Sequence, residues 1–262
     1  MKIVVCIKQV PDTVHVRIDE ATGAMQREGV PAIVNPYDLY ALEEALRLRE
    51  AHGGSVAALT MGPPQAEAAL RDAVALGVDE GYHLSGREFA GGDTLATSYA
   101  LAKGVEKIGE VALVLCGKQA IDGDTAQVGP ELAEQLGLPF VGFVRRVREA
   151  GPGRIVVERM TDEGADVVEC PLPAVLSVVK EINTPRLPSL KGKMRAKAFK
   201  PVVWNAAALG ADAARLGFAG SPTKVVKVFH PEARRGGEIL TGEPAEVAGR
   251  LADALRSLGV CR

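Results

Sequence analysis

The sequence predicts an α/β protein built on a doubly wound, mostly parallel sheet, with an added antiparallel hairpin and an extended C-terminal arm. Three observations lead there. The runs Ile3–Ile7 and Val111–Leu115 are continuously apolar, without the in–out alternation of a half-exposed strand, and read as central parallel strands buried on both faces. Strand-like and helix-like segments alternate at intervals of about 30 residues, the length of a right-handed βαβ unit. A Gly- and Asp-rich loop, Cys116 to Pro130, joins the second of those strands to an amphipathic helix marked by Val128, Leu132 and Leu136. Strand, loop and helix N-terminus in that order present backbone N–H groups to a phosphate.

Composition bounds what such a protein does. Lys plus Arg (31) nearly balances Asp plus Glu (33) in 262 residues, so no charge excess points to nucleic acid as a partner. Apolar residues at 47% and charged ones at 24% leave ample material for a core. Cys6, Cys116, Cys170 and Cys261 are scattered, with no CxxC pair, which argues against metal, iron–sulfur and disulfide frameworks and for a reducing compartment. The first apolar run is too short for a signal-peptide core or a membrane span. A cytoplasmic protein, not an integral membrane one, is expected.

Along the chain, Lys8-Gln9-Val10-Pro11-Asp12-Thr13 leaves the first strand as a loop, because Pro11 disfavours helix at Val10. Val14, Val16 and Ile18 alternate before a Thr22-Gly23 turn and predict a small hairpin outside the main sheet. Asn35 stands at an N-cap position with Pro36 first in the helix, where a missing N–H costs nothing; Leu42, Ala45, Leu46 and Arg49 follow, and Gly53-Gly54 stops the helix. Ser55–Met61 is the next strand, ended by Gly62-Pro63-Pro64, and a helix over 65–76 carries Ala69, Leu70 and Ala73 on its buried stripe. A short strand near Tyr82-His83-Leu84 follows, on which His83, with no partner acid in view, reads as structural. Asp93-Thr94 caps a helix over 95–108. Segments 143–147 and 154–159 flank Gly151-Pro152-Gly153 as antiparallel strands, and 174–179 is apolar enough to rejoin the main sheet.

In a sheet of this kind the ligand cleft lies beyond the carboxyl ends of the strands. Cys6, Met61 and Cys116 stand at or near such ends, and the loops after them, with the Asn35 helix start, line the cleft. Their small or soft side chains leave room for a flat ring such as adenine. Gly123 and Gly129 permit close backbone approach, and Asp124 or Thr125 is placed to cap the following helix. The loop is neither the dinucleotide glycine fingerprint nor a P-loop. Asp122 and Asp124 repel a polyphosphate unless they cap or bind a metal, so a singly or doubly phosphorylated nucleotide fits better than ATP. An ordinary βα turn, with Asn35 as a plain cap, explains the same residues without a ligand.

The segment 186–200 is basic, carries Leu190, Met194 and Phe199, and lacks a clean period. It reads either as a solvated loop or as a partner-docking loop, with a leucine knob amid charges that steer association. Residues 204–235, broken by Gly220-Ser221-Pro222-Thr223 and holding an extended piece at Val225, Val226 and Val228, read as an arm that packs on something other than this chain's sheet. An amphipathic helix over 246–258 closes the chain. The organisation expected is a nucleotide-binding domain over 1–200 and an arm with a helix over 201–262 that packs on a partner subunit.

Several motifs in order carry a resemblance. They are Ile3-Val4-Val5-Cys6-Ile7-Lys8-Gln9-Val10-Pro11-Asp12, then Asn35-Pro36-Tyr37-Asp38 with Ala41, Glu43, Glu44 and Ala45, then Gly117-Lys118-Gln119-Ala120-Ile121-Asp122. Val157-Glu158-Arg159 through Pro173-Ala174-Val175, Pro185-Arg186 and Met194-Arg195-Ala196-Lys197 complete them. Over essentially its full length the chain resembles the β subunit of electron transfer flavoproteins. The resemblance implies a Rossmann-like fold of the adenine-nucleotide α-hydrolase kind and a heterodimer with an α subunit that carries the redox flavin adenine dinucleotide (FAD). It implies an electron carrier and no enzyme. Flavin dehydrogenases, in settings such as fatty acid oxidation, would dock on it, and a quinone oxidoreductase would accept the electrons.

The family's nucleotide contacts fall here on Cys6, Asn35, Pro36, Tyr37, Asp38, Met61 and Gly117, Lys118, Gln119, Ala120, Ile121, Asp122, Gly123, Asp124, Thr125, Ala126, Gln127 and Val128. Its dehydrogenase-docking leucine falls on Leu190, with Met194, Arg195 and Lys197 beside it, although Lys191-Gly192-Lys193 departs from the family's Pro-Asn-Ile type stretch. The second nucleotide is AMP in housekeeping members. The run from Asp122 to Pro130, with Asp93-Thr94-Leu95-Ala96-Thr97-Ser98, is more similar to members that bind a second FAD and bifurcate electrons. Rival readings are an adenine-nucleotide hydrolase with Asp122 and Asp124 holding Mg²⁺, and a stand-alone nucleotide-sensing module.

Overall fold

In chain order the first half comprises β1 (Lys2–Cys6), β2 (Gln9–Pro11), β3 (Arg17–Ile18), β4 (Met25–Gln26), β5 (Ala32–Val34), α1 (Pro36–His52), β6 (Ser55–Met61), α2 (Glu67–Leu76), β7 (Glu80–Leu84), α3 (Thr94–Ile108) and β8 (Val111–Gly117). There follow α4 (Val128–Leu136), β9 (Phe140–Gly151), β10 (Arg154–Thr161), β11 (Gly164–Pro171), β12 (Ala174–Val178), α5 (Leu190–Ala198), β13 (Val202–Trp204), α6 (Ala206–Leu209), α7 (Gly217–Gly220) and α8 (Pro244–Ser257). This computed structural model describes residues 1–12, 17–18, 25–26, 31–224 and 237–260.

The main sheet has nine strands in the order β11-β10-β9-β12-β8-β1-β6-β7-β13. From β9 to β13 every neighbouring pair is parallel, and β10 and β11 extend one end antiparallel. The absence of alternation in β1 has a direct cause. Ile3 and Val5 enter the core beneath α1 and α2 with Leu42, Leu46 and Leu70, whereas Val4 enters the opposite core beneath α3 and α4 with Tyr99, Val105 and Leu132. Both faces are covered, so both sets must be apolar. Each fully buried Leu or Ile contributes about 2 kcal/mol of apolar burial. The chain leaves β1 towards β6 and β7 and returns to open the other side at β8. The switch point therefore lies between β1 and β8, where a doubly wound sheet splays its loops apart.

The expected parallel core, the Asp93 cap and the rejoining of β12 are all present. Asp93 Oδ1 accepts from the Ala96 N–H at 3.1 Å. The hairpin expected outside the main sheet is seen where β3 pairs antiparallel with β4; Val14, Val16 and the Thr22-Gly23 turn lie outside the described residues.

Three expectations are corrected. Segment 186–200 is no irregular loop: Leu190–Ala198 is helix α5, capped by Ser189 Oγ accepting from Gly192 N–H at 3.0 Å. The helix has no apolar stripe because its hold on α2 is backbone-close. A Cβ on Gly192 would collide with the carbonyl of Ala75. Trp204 does not begin an arm that leaves the sheet. Val202–Trp204 pairs with β7 as the edge strand, and Leu209 and Leu216 are buried in the core beneath α3. The stretch 164–171, for which no strand was expected, pairs with β10 as β11.

Two compact units result, residues 1–226 and 227–262. In the second, α8 starts on Pro244 and buries none of its residues. The expected extended piece at Val225, Val226 and Val228 lies outside the described residues. Among the described residues no helix is long and apolar enough to cross a membrane.

Candidate functional site

At the switch point the parallel register sets Cys6 of β1 directly opposite Cys116 of β8. Both thiols are free and buried. The Cys116 thiol is pushed well up by its contact with Cys6, by burial and by the nearby negative charge of Asp38. With that thiol held protonated, Cys6 and Cys116 form a small, weakly polar floor at the paired strand ends.

Above that floor α1 begins, and here local sequence and tertiary role part company. Asn35 occupies the N-cap position, yet its side chain caps no helix N–H. Buried to 1% exposure, it reaches sideways: Nδ2 donates to Asp38 Oδ1 and to the Gln119 carbonyl, each at 2.9 Å, and Oδ1 accepts from Ile121 N–H at 3.1 Å. Its backbone N–H donates to the Lys8 carbonyl at 2.8 Å, and Lys8 N–H donates to Asp38 Oδ2 at 2.7 Å. One asparagine and one aspartate thus tie together the loop after β1, the start of α1 and the loop after β8. Burial pushes the Asp38 carboxyl up to about 7, although hydrogen bonds from Asn35 and from the Lys8 and Gly117 backbones act to lower it.

Gly117 makes this convergence possible. A Cβ there would meet the Asp38 carboxylate, the Tyr37 backbone carbon at 2.6 Å and Tyr37 Cβ at 2.7 Å. Beyond it the loop divides. Its first half is anchored, with Lys118 N–H donating to Val178 O at 2.9 Å, Asn35 holding residues 119 and 121, and Lys8 Nζ on Asp122 Oδ1 at 2.7 Å. Its second half is exposed and turns on left-handed residues, Asp124 at φ 53° and Ala126 at φ 55°, before right-handed Gln127 at φ −94°. Two left-handed residues within three positions turn the chain sharply just before α4, while Asp124 N–H folds back on the Ala120 carbonyl at 2.8 Å.

One expectation fails in this loop. Neither Asp124 nor Thr125 caps α4, whose N-cap position is Gln127 with no side-chain hydrogen bond. Asp124 instead accepts from the Gln119 side chain. Within the chain itself the tight approach is at Gly117, whereas a Cβ on Gly123 would meet no atom of this chain within 4 Å and Gly129 packs on the Phe140 ring. The uncapped start of α4 leaves its first N–H groups free for a ligand.

The structure brings the expected cleft residues together but divides them. Cys6, Asn35 and Asp38 are buried builders, while Pro36, Tyr37, Met61, Gly117 to Ile121, Ala126 and Val128 are half-buried and Asp122 to Thr125 and Gln127 are exposed. Lys8 was missed as a site residue, and its partner Asp122 lies 114 positions away, so no local pattern announces the pair. The metal reading loses its ligands. Asp122 is paired with Lys8, Asp124 with Gln119, and no group of three or more potential metal ligands occurs among the described residues. His83 is structural as expected. Its Nε2 lies 3.0 Å from the Gly62 carbonyl, and burial lowers its pKa.

The second expected site is a surface. On α5 and the turn before it, Leu187 (90% exposed), Leu190 (78%) and Met194 (65%) stand free. Lys197 is exposed. Arg195 turns inward, where its guanidinium donates to the Val74 carbonyl at 2.9 Å and to that of Val78, closing the end of α2. Arg186 fastens the approach to α5. It binds Glu43 and Glu50 of α1, and this lowers the pKa of both carboxyls despite the burial of Glu43.

Comparison with known proteins places the chain among relatives. A protein-family model described as "Electron transfer flavoprotein domain" matches residues 22–209. "Electron transfer flavoprotein subunit beta" of Thermoanaerobacterium thermosaccharolyticum is 51% identical over 258 residues, 98% of each chain. "Caffeyl-CoA reductase-Etf complex subunit CarD" of Acetobacterium woodii is 47% identical over 258 residues, again 98% of each. "Protein FixA" of Azorhizobium caulinodans is 48% identical over 241 residues, 89% of this chain and 86% of the relative.

Proposed function

This chain belongs to the electron transfer flavoprotein family, on a matched domain and on relatives sharing about half its residues along nearly its whole length, and from that premise we propose that it is the β subunit of a heterodimer and holds an adenine nucleotide at the β1–β8 switch point. Proteins named for this family are electron carriers and not catalysts. The observation that supports the cleft reading is the loop after β8, clamped at its start by Asn35 and ending at a helix start with no side-chain cap.

The residues present fit such a group. The Ala126–Val128 backbone and the start of α4 would hold phosphate, and the soft floor of Cys6 and Cys116 with Met61 suits a flat base. Lys8 offsets Asp122, so a short phosphate group is tolerated where a polyphosphate is not. A flavin, when bound, supplies the electron-accepting chemistry. The chain's own work is to orient the nucleotide, exclude water from its base and fix the local charge. We favour a second FAD over AMP, because the loop run Asp122–Pro130 and the Asp93–Ser98 helix start resemble bifurcating members.

An α subunit carrying FAD is the proposed partner. The second unit, with α8 unburied, offers it a surface. Flavin dehydrogenases would dock at Leu190, Met194 and Lys197, and a quinone oxidoreductase would take the electrons, in the cytoplasm. The hydrolase reading needs Asp122 and Asp124 free for Mg²⁺, and both are engaged.

Co-expression with the α partner, denaturation of the pure complex and chromatographic quantification of released FAD and AMP test the reading. Two FAD per heterodimer supports a bifurcating carrier. One FAD with one AMP supports a single-flavin shuttle. No nucleotide beyond the α subunit's FAD overturns the cleft assignment.

A further inference from the structure

We propose that Asp38 is a positioning residue: its ionised carboxylate sets the orientation of the Asn35 amide, Asn35 fixes the Gln119–Ile121 segment, and the nucleotide is gripped firmly only while that carboxylate is charged. The inference rests on the adenine-nucleotide reading of the cleft and deepens it.

Every hydrogen-bonding group that reaches Asp38 is a donor: Lys8 N–H at 2.7 Å, Asn35 Nδ2 at 2.9 Å and the backbone N–H of Gly117. A primary amide has nearly the same shape either way round, so its partners decide which end points where. With Asp38 charged, Asn35 Nδ2 faces the carboxylate and the Gln119 carbonyl, and Oδ1 is left facing Ile121 N–H. Reversed, the amide would set oxygen against two acceptors and N–H against N–H. Loop residues 119 and 121 thus read the state of a residue more than 80 positions away in sequence, since Asn35 and Gln119 are 84 apart.

Each group shown to contact the Asp38 carboxylate is a donor, so a proton there competes with them for its oxygens. Asn35 Oδ1 already accepts from Ile121, so a proton set against these donors, or shared with that oxygen, weakens the clamp. Charged and titratable neighbours come from each packed element. The Lys8 ammonium after β1 favours the carboxylate but is itself paired with Asp122 of the loop. From β1 and β8 come the Cys6 and Cys116 thiols, the latter held neutral. From α1 comes Tyr37, whose backbone lies against Gly117. Burial moves the Asp38 titration to about 7, where a modest change in pH alters its charge.

The test uses nucleotide-free full-length protein and FAD as the probe, whose pyrophosphate has no group titrating between pH 6 and 8. Calorimetry is run across that range in buffers of different ionisation heat. Only the ionised fraction binds tightly, so affinity should fall about tenfold from pH 8 to pH 6, with proton release on binding near pH 6.5. Asp38→Asn keeps the shape but turns an N–H₂ on incoming donors. It should bind at least tenfold more weakly at pH 8, with no pH slope. Should FAD not be taken up, AMP is used, and the slope difference between the two proteins removes the titration of its own phosphate. A flat profile without proton release in the unaltered protein, which needs no variant to fold, overturns the proposal, and so does a variant that keeps the slope. Binding of neither probe at any pH overturns the nucleotide reading and this proposal with it.

Discussion

The cleft and the α5 surface invert the usual distribution of polarity in opposite senses. At the cleft, polar groups are buried: Asn35 and Asp38 are 1% and 5% exposed. On α5 and just before it, apolar groups are bare: Leu187, Leu190 and Met194 project, while Arg195, one of the two charged residues of its motif, closes the end of α2. Burying a carboxylate costs stability unless donors converge on it. Baring a leucine forgoes burial that a partner can later supply. The first arrangement sets geometry within one chain, and the second, on the proposed docking reading, awaits another molecule. The two surfaces should therefore respond to mutation in opposite ways: cleft changes alter folding and ligand retention together, while α5 changes alter association alone.

The largest effect expected is from Gly117→Ala. The atoms its Cβ would strike are mainly Tyr37 backbone and Cβ, which cannot swing aside. Overpacking of this kind costs about 3 kcal/mol. Denaturant unfolding should show that loss, and bound nucleotide should fall with it. A variant that kept both would break the contrast on the cleft side.

Next comes the pH dependence of stability. The Asp38 carboxyl titrates near 3.8 when unfolded and about 7 when folded, so the folded state holds the extra proton between those values. Its contribution to stability is complete below pH 4 and is lost as pH rises towards 7, amounting to about 4 kcal/mol at most. Asp38→Asn removes that slope, so its unfolding free energy relative to the unaltered protein should climb from pH 4 to 7 and then level. Ligand grip is expected to move the other way, and parallel curves would show that the carboxylate serves the fold alone.

Leu190→Ala should leave unfolding and bound nucleotide unchanged, because the side chain touches little in this chain. Loss of a docking anchor is worth about 1–2 kcal/mol, roughly a tenfold rise in KM for the reducing dehydrogenase. A drop in melting temperature would show that α5 is a structural element and no platform. The smallest effect is that of Ala126→Gly. Left-handed φ costs an L residue about 1 kcal/mol, partly offset by the greater chain entropy of glycine when unfolded. A net gain of about 0.5 kcal/mol in thermal unfolding is expected, with weaker nucleotide binding as the preset curl of the loop loosens.

Much of the fold was legible from local pattern. The unalternated strands, the Pro36 start, the Asp93 cap and the ends of β1, β6 and β8 are written in burial and capping, and both report on neighbours within a few residues. The residues of the family-like motifs come together at the β1–β8 switch point. What local pattern misread shares one cause. Asn35 looked like a side-chain cap because asparagine before proline so often is one, and 186–200 looked irregular because α5 shows no apolar period.

By itself, then, the sequence determined the alternating α/β order, the doubly covered strands and the position of the loop after β8, since each follows from which residues must avoid water in a repeating backbone. Only the tertiary structure decided that Gly117 must lack a side chain, that Asp38 gathers three donors and that Arg195 faces inward. These depend on which backbone arrives beside which, across separations such as the 84 residues between Asn35 and Gln119 and the 114 between Lys8 and Asp122. No periodicity encodes a meeting of that kind; packing two helices and a loop against one pair of strand ends does.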